Sequence, residues 1–390
     1  MVDGFDVAIV GGGIAGVSAG AHLAEAGLSV VLLEAEATLA HHTTGRSAAQ
    51  YLENYGNDSV RRLTIASRSY LEEPGEHADQ SFLGSRPLLK VGRAAKIDAM
   101  RAEVEHAKEL VPTTTFVDGD EARGILPILR DDIACGLYEP MSMDIDVAGL
   151  HQSYVRRLRA SGGEIRRSWR VVGLNRRGDS WQINTGSDEL SASVVVNAAG
   201  AWGDLVGAEA GALPLGLHPL RRTIAIGAIP DGHDPGEVER WPLTSFEPAS
   251  GPMNCYCKPE PGGLMISPAD ETPSEPCDAK PEEIDVALAL ANLAEFTTLD
   301  VRHVRSTWAG LRTFTSDRTP VGGFDSDVEG FFWLVGQGGY GIHTAEAMAL
   351  ATAGLIVDDA IPTPLTDVGL TAEDLSPGRG TLAGPLVGGA

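Results

Sequence analysis

The chain has 390 residues, of which 43% are hydrophobic and 22% are charged, so it has the length of two or three folded domains and is too apolar for a disordered protein. Its 30 Lys and Arg residues stand against 54 Asp and Glu residues, which gives a formal net charge of −24. Such an excess of negative charge repels phosphate backbones, so we expect no nucleic-acid partner.

The first predicted elements form a βαβ unit. Residues 5–10 are a continuous apolar run, which is typical of a buried parallel strand. A glycine-rich segment and a helix to about Ala26 follow, and Gly27 ends that helix. Residues 29–33 are apolar again and predict a second strand next to the first.

The glycine-rich segment predicts a dinucleotide-binding loop. Gly11, Gly13 and Gly16 have the spacing G-x-G-x-x-G between a strand and a helix, and Glu34 follows the second strand. Such a loop brings a pyrophosphate close to the backbone at the positive N-terminus of the helix. The carboxylate of Glu34 can accept hydrogen bonds from an adenosine ribose and would repel a 2′-phosphate, so NADP is not expected. The predicted cofactor contacts in this unit are Gly11, Gly13, Ile14, Ala15, Gly16 and Glu34.

The later elements predict the domain organisation. In chain order they are helices at 58–72, 93–110 and 147–160, short strands over 164–199, extended segments over 213–270 and a strand, glycine loop and helix over 330–357. The two ends of the chain therefore alternate strand and helix, whereas the middle is rich in short strands. We predict an α/β, Rossmann-like nucleotide-binding domain with an inserted, mainly antiparallel β substrate domain. The expected boundaries are 1–85, 145–213 and 320–376 for the first domain, 86–144 and 214–319 for the second, and 377–390 for a flexible tail.

Targeting signals are not evident. Asp3 and Asp6 precede the apolar run 7–21, and the first basic residue is Arg46, whereas a signal peptide needs a positive N-terminal region. The other apolar run, 347–357, is too short to span a bilayer. The four cysteines show no C-x-x-C spacing, which fits a reducing compartment. We therefore expect a cytoplasmic protein without a transmembrane segment.

Four more motifs follow in chain order: Thr-Thr-Gly-Arg-Ser-Ala-Ala at 43–49, Asn-Ala-Ala-Gly-Ala-Trp at 197–202, Thr-Trp-Ala-Gly-Leu-Arg at 307–312 and Gln-Gly-Gly-Tyr-Gly at 337–341. Together with the first glycine loop, they resemble the D-amino-acid oxidase superfamily of FAD enzymes over nearly the whole chain, and most of all its D-arginine dehydrogenase branch. The resemblance implies FAD as cofactor and no metal. Because no His or Cys stands in loops 43–50 and 336–342, we expect the FAD to be non-covalently bound. The further cofactor contacts implied are Thr44, Gly45, Arg46, Ser47, Ala48, Ala49, Ala199, Gly200, Trp202, Gly338, Gly339, Tyr340, Gly341 and Ile342.

The resemblance also implies a binding site for the carboxylate of an amino-acid substrate. Arg222, Arg312 and Tyr256 are the residues expected to hold it, and a guanidinium fork matches a carboxylate in a bidentate manner. Arg221 and Arg222 face opposite sides of a strand, and parity alone leaves open which one faces the site. The resemblance favours Arg222.

Two further residues are implied to surround the substrate. Tyr55 is expected on a mobile loop that covers the site and excludes water. Gly339 is expected to offer its carbonyl oxygen to the substrate amine.

Two positions depart from the D-arginine dehydrogenase pattern. Gln50 stands where similar enzymes have a histidine, so it can form hydrogen bonds but cannot act as a titrating base. Leu88 stands where they have a glutamate, and leucine cannot neutralise a buried cationic side chain. We therefore expect a neutral or apolar D-amino acid, with Glu53 as an alternative acid if the substrate is cationic.

The expected reaction is FAD-dependent oxidative deamination. Hydride passes from the α-carbon to flavin N5, and the imino acid hydrolyses to a 2-oxo acid and ammonia. Four alternatives stay open: oxidation of an N-methyl amino acid or glycine, oxidation of a 2-hydroxy acid, an NAD-only dehydrogenase, and a non-catalytic FAD-binding subunit. Oxygen and a quinone both stay open as the electron acceptor.

Overall fold

The computed structural model of the protein describes residues 3–229, 232–247 and 255–388. Its strands, numbered in chain order, are β1 (Asp3–Val10), β2 (Val30–Glu34), β3 (Gln50–Tyr51), β4 (Leu83–Ser85), β5 (Leu88–Arg93), β6 (Thr115–Asp118), β7 (Ile133–Glu139), β8 (Met143–Ile145), β9 (Glu164–Arg167), β10 (Gly173–Arg177), β11 (Ser180–Asn184), β12 (Glu189–Asn197), β13 (His218–Gly227), β14 (Leu243–Glu247), β15 (Cys255–Glu260), β16 (Gly263–Ser267), β17 (Thr272–Pro273), β18 (Val304–Phe314), β19 (Val321–Phe324) and β20 (Phe331–Val335).

The helices, also in chain order, are α1 (Ile14–Glu25), α2 (Asp58–Glu72), α3 (Ile97–Ala107), α4 (Gly119–Ile125), α5 (Val147–Ala160), α6 (Gly203–Glu209), α7 (Pro235–Val238), α8 (Glu283–Phe296), α9 (Ala345–Val357), α10 (Thr363–Thr366) and α11 (Ala372–Leu375). The predicted helices at 58–72 and 147–160 are thus confirmed with their bounds, and the one at 93–110 is shorter at both ends. None of the helices in the described part of the chain has the length and apolar character that crossing a bilayer requires.

The first sheet is the scaffold of the predicted βαβ unit. Its strand order is β10-β11-β12-β1-β2-β9. In addition, β20 pairs with β12, and β19 pairs with β20. Strands β1, β2, β9, β12 and β20 pair in parallel, whereas β10, β11 and β19 pair antiparallel. Residues 30–34 are all buried, as expected of a strand covered on both faces. Helices α1, α5 and α9 pack together on one face of this sheet. The C-terminal ends of β1 and β12 lie beside the start of α1.

The second sheet comes from two insertions between strands of the first. Its order is β17-β13-β16-β15-β14-β5-β7-β6, with β18 on the other edge of β13. Every pairing is antiparallel except that of β14 with β5. The predicted fold class, an α/β domain with an inserted and mainly antiparallel β part, is therefore confirmed. A third, small sheet has the order β3-β8-β4.

The segment after residue 376 differs in part from the flexible tail expected there. The guanidinium of Arg379 is buried and pairs with the carboxylate of Asp317 at 2.7 Å. The backbone N–H of Val387 donates to the carbonyl oxygen of Ser316 at 2.8 Å. These partners lie just beyond β18, and they hold both positions of the tail against the body of the chain.

Candidate functional site

A single cavity of about 1130 Å³ joins the two large sheets. The end of β1 and the start of α1 form part of its wall, and residues of β5, β13, β14, β15 and β18 form another part. The cavity is therefore large enough for a dinucleotide and a small substrate together.

The predicted dinucleotide loop forms the cavity wall at the start of α1. Gly11 has φ +114°, and a Cβ atom there would lie 2.4 Å from the carbonyl oxygen of Ala198. The backbone N–H of Ile14 donates to Thr44 Oγ1 at 3.0 Å, which fixes the loop 43–46 beside the helix N-terminus. Gly13 lines the cavity, so a ligand can reach the backbone there without meeting a side chain.

Glu34 faces the same cavity from the end of β2. Its Oε2 accepts from the backbone N–H of Gly12 at 2.8 Å, and its Oε1 accepts from the backbone N–H of Glu36 at 2.8 Å. Each carboxylate oxygen can accept more than one hydrogen bond, so acceptor sites remain for ribose hydroxyls.

Most of the other predicted cofactor contacts also line this cavity. They are Ala15, Arg46, Ser47, Ala48, Ala49, Ala199, Gly200, Trp202, Gly338, Gly339, Tyr340, Gly341 and Ile342. Gly16 and Gly45 are not among the residues that line it, and a Cβ atom there would come within 1.9 Å of Gly11 O and 2.3 Å of Ala40 O, respectively. Both glycines therefore permit close backbone packing, and Gly16 is buried whereas Gly45 is exposed.

The charged end of Arg46 points to the second sheet. Its guanidinium donates to the carbonyl oxygens of Ala279 and Ala309 at 3.0 and 2.9 Å, and it also pairs with Asp278. Arg46 lines the cavity with the rest of its side chain and connects the loop after β2 to β18.

Arg312 and Gly339 are in direct contact at the other end of the cavity. A Cβ atom at position 339 would lie 2.2 Å from Arg312 Nη2, so only glycine leaves room for this guanidinium. Arg312 Nη2 donates to the Tyr55 hydroxyl at 2.5 Å, and the Tyr55 ring packs edge-on to Tyr340 at 5.1 Å. The structure thus brings these four predicted residues together.

The structure also separates Arg221 from Arg222. Arg222 lines the cavity, donates to the carbonyl oxygen of Asp270 at 2.8 Å and lies 5.8 Å from the Tyr256 ring centre. Arg221 turns to the other face of β13 and pairs with Glu282 and with Asp285, the latter at 3.0 Å. Of the two, only Arg222 can meet a ligand in the cavity.

Two charged residues at this end, Glu271 and Arg318, were missed by the sequence analysis. The Glu271 carboxylate lies 2.7 Å from Arg318 and 3.6 Å from both Arg222 and Arg312. Burial acts in the opposite direction, but the hydrogen bond from Arg318 and the three positive charges hold the pKa of Glu271 below its usual value. Three arginines around one carboxylate form an anion site with positive charge to spare. No motif marks either residue in the sequence, because they come from loops beside β17 and β18.

The second sheet contributes Leu88 and an unexpected acid to the cavity wall, and Gln50 lines the cavity from β3 of the third sheet. Gln50 donates to the carbonyl oxygen of Arg86 at 3.0 Å, and Leu88 lines the cavity on β5. Glu53 is turned away from the cavity, where its Oε1 accepts from Arg68 at 2.8 Å. Glu139, at the end of β7, lies in the cavity wall instead.

The residues present fit FAD, since one continuous cavity has a glycine loop at a helix N-terminus, an acid for the ribose and a second glycine loop near Arg312. The sequence profile described as FAD dependent oxidoreductase, abbreviated DAO, matches residues 6–355. The chain belongs to this family. FAD is thus its cofactor, as predicted, and the specific link to the D-arginine dehydrogenase branch stays a prediction.

Individual relatives are distant. The chain is 23% identical to the glycine oxidase of Geobacillus kaustophilus (strain HTA426) over 91% of its own length and 94% of that protein. It is 24% identical to the mitochondrial dimethylglycine dehydrogenase of Homo sapiens over 55% of its length, a match that spans only 26% of that larger protein. Among solved structures, the L-proline dehydrogenase from P. horikoshii shares the fold with a TM-score of 0.81 and 17% identity, over 97% of this chain and 98% of that one.

Proposed function

We propose that the protein oxidises the C–N bond of an amino acid and releases an imino acid, which hydrolyses to a 2-oxo acid and ammonia. The observation that carries this proposal is the position of Arg222 and Arg312 in the same cavity as the dinucleotide loop. FAD, when bound, supplies the two-electron acceptor for this chemistry.

The arginines have the charge and position to hold the substrate carboxylate. Glu271 contacts both Arg222 and Arg312, and Arg318 adds a third positive charge, so the site keeps a net attraction for an anion. A bound carboxylate would fix the orientation of the α-carbon, and orientation is the main contribution that the protein has to make.

Tyr55 and Gly339 are the remaining groups next to this anion site. The Tyr55 hydroxyl already accepts from Arg312, so the loop that carries Tyr55 covers the arginine and limits access of water. The carbonyl of Gly339, adjacent to Arg312, is the acceptor that we assign to the substrate amine.

We further propose a D-amino acid with a neutral side chain. The D configuration rests on the resemblance of the sequence motifs to the D-arginine dehydrogenase branch. The neutral side chain rests on Leu88 and Leu243, which are neighbours on β5 and β14 and both line the cavity. Apolar walls favour burial of aliphatic groups by about 1.5–3 kcal/mol per side chain.

The cellular setting belongs to the same proposal. All four cysteines are free thiols, and three of them are buried, which supports a reducing, cytoplasmic location. The substrate is a small molecule, and the acceptor that re-oxidises the flavin is oxygen or a quinone.

Product analysis tests the reaction type. Deamination releases ammonia and a 2-oxo acid, N-demethylation releases formaldehyde, and oxidation of a 2-hydroxy acid releases neither ammonia nor formaldehyde. We expect ammonia in equimolar amount with the 2-oxo acid. Formaldehyde as the main product would replace this proposal with oxidation of an N-methyl amino acid.

A further inference from the structure

Glu139 is a buried acid in the cavity wall that the proposed reaction does not use. Only 2% of its surface is exposed, and its Oε2 accepts one hydrogen bond, from Asn54 Nδ2 at 3.1 Å. In the part of the chain that the structure describes, no Lys, Arg or His nitrogen lies within 4.0 Å of its carboxylate. Glu139 therefore keeps unused capacity to bond with a ligand.

Glu139 shares this wall with aliphatic side chains. In the pairing of β5 with β7, Leu88 is directly opposite Glu139, and in the pairing of β14 with β5, Leu243 is directly opposite Leu88. Leu137, two residues before Glu139 on β7, also lines the cavity. Aliphatic side chains thus border the acid, and the charged residues Lys90 and Glu103 line the same cavity further along.

Asn54 holds the Glu139 carboxylate in place. Its Nδ2 donates to Thr114 Oγ1 and to Glu139, both at 3.1 Å, whereas its buried Oδ1 has no partner among the described residues. Asn54 precedes Tyr55, which contacts Arg312. One loop therefore lies beside both the proposed carboxylate site and Glu139. Because Asn54 Oδ1 is buried and both Nδ2 donors are used within the protein, Asn54 positions Glu139 and leaves contact with a ligand to the Glu139 carboxyl group.

This inference rests on the proposed function and names its side-chain subsite. We propose that Glu139, positioned by Asn54, binds the primary carboxamide at the end of a substrate side chain, so that amino acids of the asparagine and glutamine type are preferred over aliphatic ones. An amide N–H₂ group can donate to the Glu139 carboxylate, which keeps acceptor capacity beside its bond from Asn54.

A neutral donor suits this end of the cavity better than a cation. Arg61 lies in the same wall, and its positive charge acts on the Glu139 carboxylate. Burial, together with the charge of Glu53, raises the pKa of Glu139 to about 7. Its protonated form can also donate to the amide oxygen, which gives a carboxyl–amide pair with two hydrogen bonds.

Isosteric substrate pairs test the subsite. Asparagine and leucine have the same shape, as do glutamine and homoleucine, in which two methyl groups replace the amide oxygen and nitrogen. We would measure kcat/KM for both pairs, in the D and L series, with the FAD-loaded protein. In the wild type the amide should exceed its isostere by about tenfold in one pair or both, and Glu139→Leu should abolish that preference.

Conservative and control variants separate recognition from folding. Glu139→Gln keeps hydrogen-bonding capacity and should retain the amide preference within about threefold, whereas Asn54→Leu should lower it about tenfold. Glu282→Gln removes an acid that pairs with Arg221 on the face of β13 away from the cavity, and it should leave the preference unchanged. FAD content measured on each variant shows whether the fold is intact.

Binding without turnover provides an independent readout. Succinamate and isocaproate are asparagine and leucine without the amine, and calorimetry gives their dissociation constants with the FAD-loaded protein. Tighter binding of succinamate in the wild type, lost in Glu139→Leu, would support the subsite even if no amino acid reduces the flavin, a result that would contradict the proposed function alone. Equal or tighter binding of isocaproate, or kinetic preference for both aliphatic isosteres, would overturn the subsite.

Discussion

Leu88 and Glu139 are directly opposite each other on β5 and β7, and both line the cavity that holds Arg312. The sequence analysis took Leu88 as the residue that replaces an acid of similar enzymes. The structure places an acid on the neighbouring strand instead, close to the same part of the cavity. The side chain of the substrate would therefore contact an aliphatic surface first and a buried carboxyl group at its end.

Arg312→Lys tests the carboxylate site. Lysine keeps the positive charge but loses the two-pronged geometry of the guanidinium. Because charge-assisted hydrogen bonds contribute about 1.5–3 kcal/mol, we expect kcat/KM to fall by about 10- to 150-fold while FAD content stays unchanged. Steady-state kinetics and the flavin spectrum of the purified variant measure the two quantities.

Arg221→Lys is the matched control for this variant. Arg221 pairs with Glu282 and Asp285 on the face of β13 that points away from the cavity, so its substitution should leave kcat/KM close to the wild-type value. If Arg312→Lys kept wild-type kinetics as well, Arg312 would be an ordinary ion-pair residue and the proposed site would be misplaced.

Leu88→Glu tests the aliphatic wall. In the wild type we expect D-leucine or D-methionine to exceed D-arginine in kcat/KM, because burial raises the pKa of Glu139 to about 7 and Arg61 in the same wall repels a cation. The variant places a second carboxyl group opposite Glu139 and should raise the ratio for D-arginine over D-leucine by about tenfold or more. Leu88→Gln, which adds no charge, is the control. A wild-type protein that already prefers D-arginine would contradict this account of the wall.

The stability of the protein should depend on pH through Glu139. Burial raises the pKa of this carboxyl group to about 7, so between the unfolded pKa near 4.5 and that value the folded state binds more protons than the unfolded state. The free energy of unfolding should therefore decrease as pH rises, by about 2–3 kcal/mol between about pH 5 and about pH 8 relative to Glu139→Gln. Urea unfolding of both proteins at the two pH values measures it. Parallel pH profiles would show that Glu139 titrates normally.

Much of the first sheet could be predicted from the sequence, because its signals are local. An apolar strand, the glycine spacing and an acid after the second strand fall within residues 5–34, and the structure confirms each element. Gly16 packs closely against Gly11 and Ile9, which is the helix–strand packing that the third glycine of this spacing permits.

The site residues that the sequence analysis missed come together only through contacts between distant parts of the chain. Glu139 and Leu88 are opposite each other only because β5 and β7 pair, and Glu271 meets Arg312 only because β17 and β18 flank β13. The alternation of side chains along a strand puts Glu139 and Leu137 on the same face of β7. It cannot show whether that face points to the cavity. Likewise, the alternation shows that Arg221 and Arg222 face opposite sides of β13. The contacts on each side are needed to tell which of them faces the cavity.

FAD should be released intact when the protein is precipitated with acid. The loops 43–50 and 336–342 that line the cavity contain no His or Cys for a covalent bond. His41 and His42 do line the cavity, but His42 pairs with Glu36 at 3.2 Å, close to Glu34 at the expected ribose position. A yellow pellet with a colourless supernatant would show covalent attachment and contradict this prediction.

Anaerobic mixing of the FAD-loaded protein with a panel of D- and L-amino acids tests the central claim most directly. In the absence of oxygen, transfer of two electrons from the substrate bleaches the visible absorbance of the flavin, whatever acceptor operates in the cell. We predict complete bleaching by neutral D-amino acids, with little effect of their L-enantiomers, and strongly slowed bleaching in Arg312→Lys. A flavin that stays oxidised with every amino acid but is bleached by a 2-hydroxy acid, or by no substrate at all, would contradict the assignment of this protein as an amino-acid-oxidising enzyme.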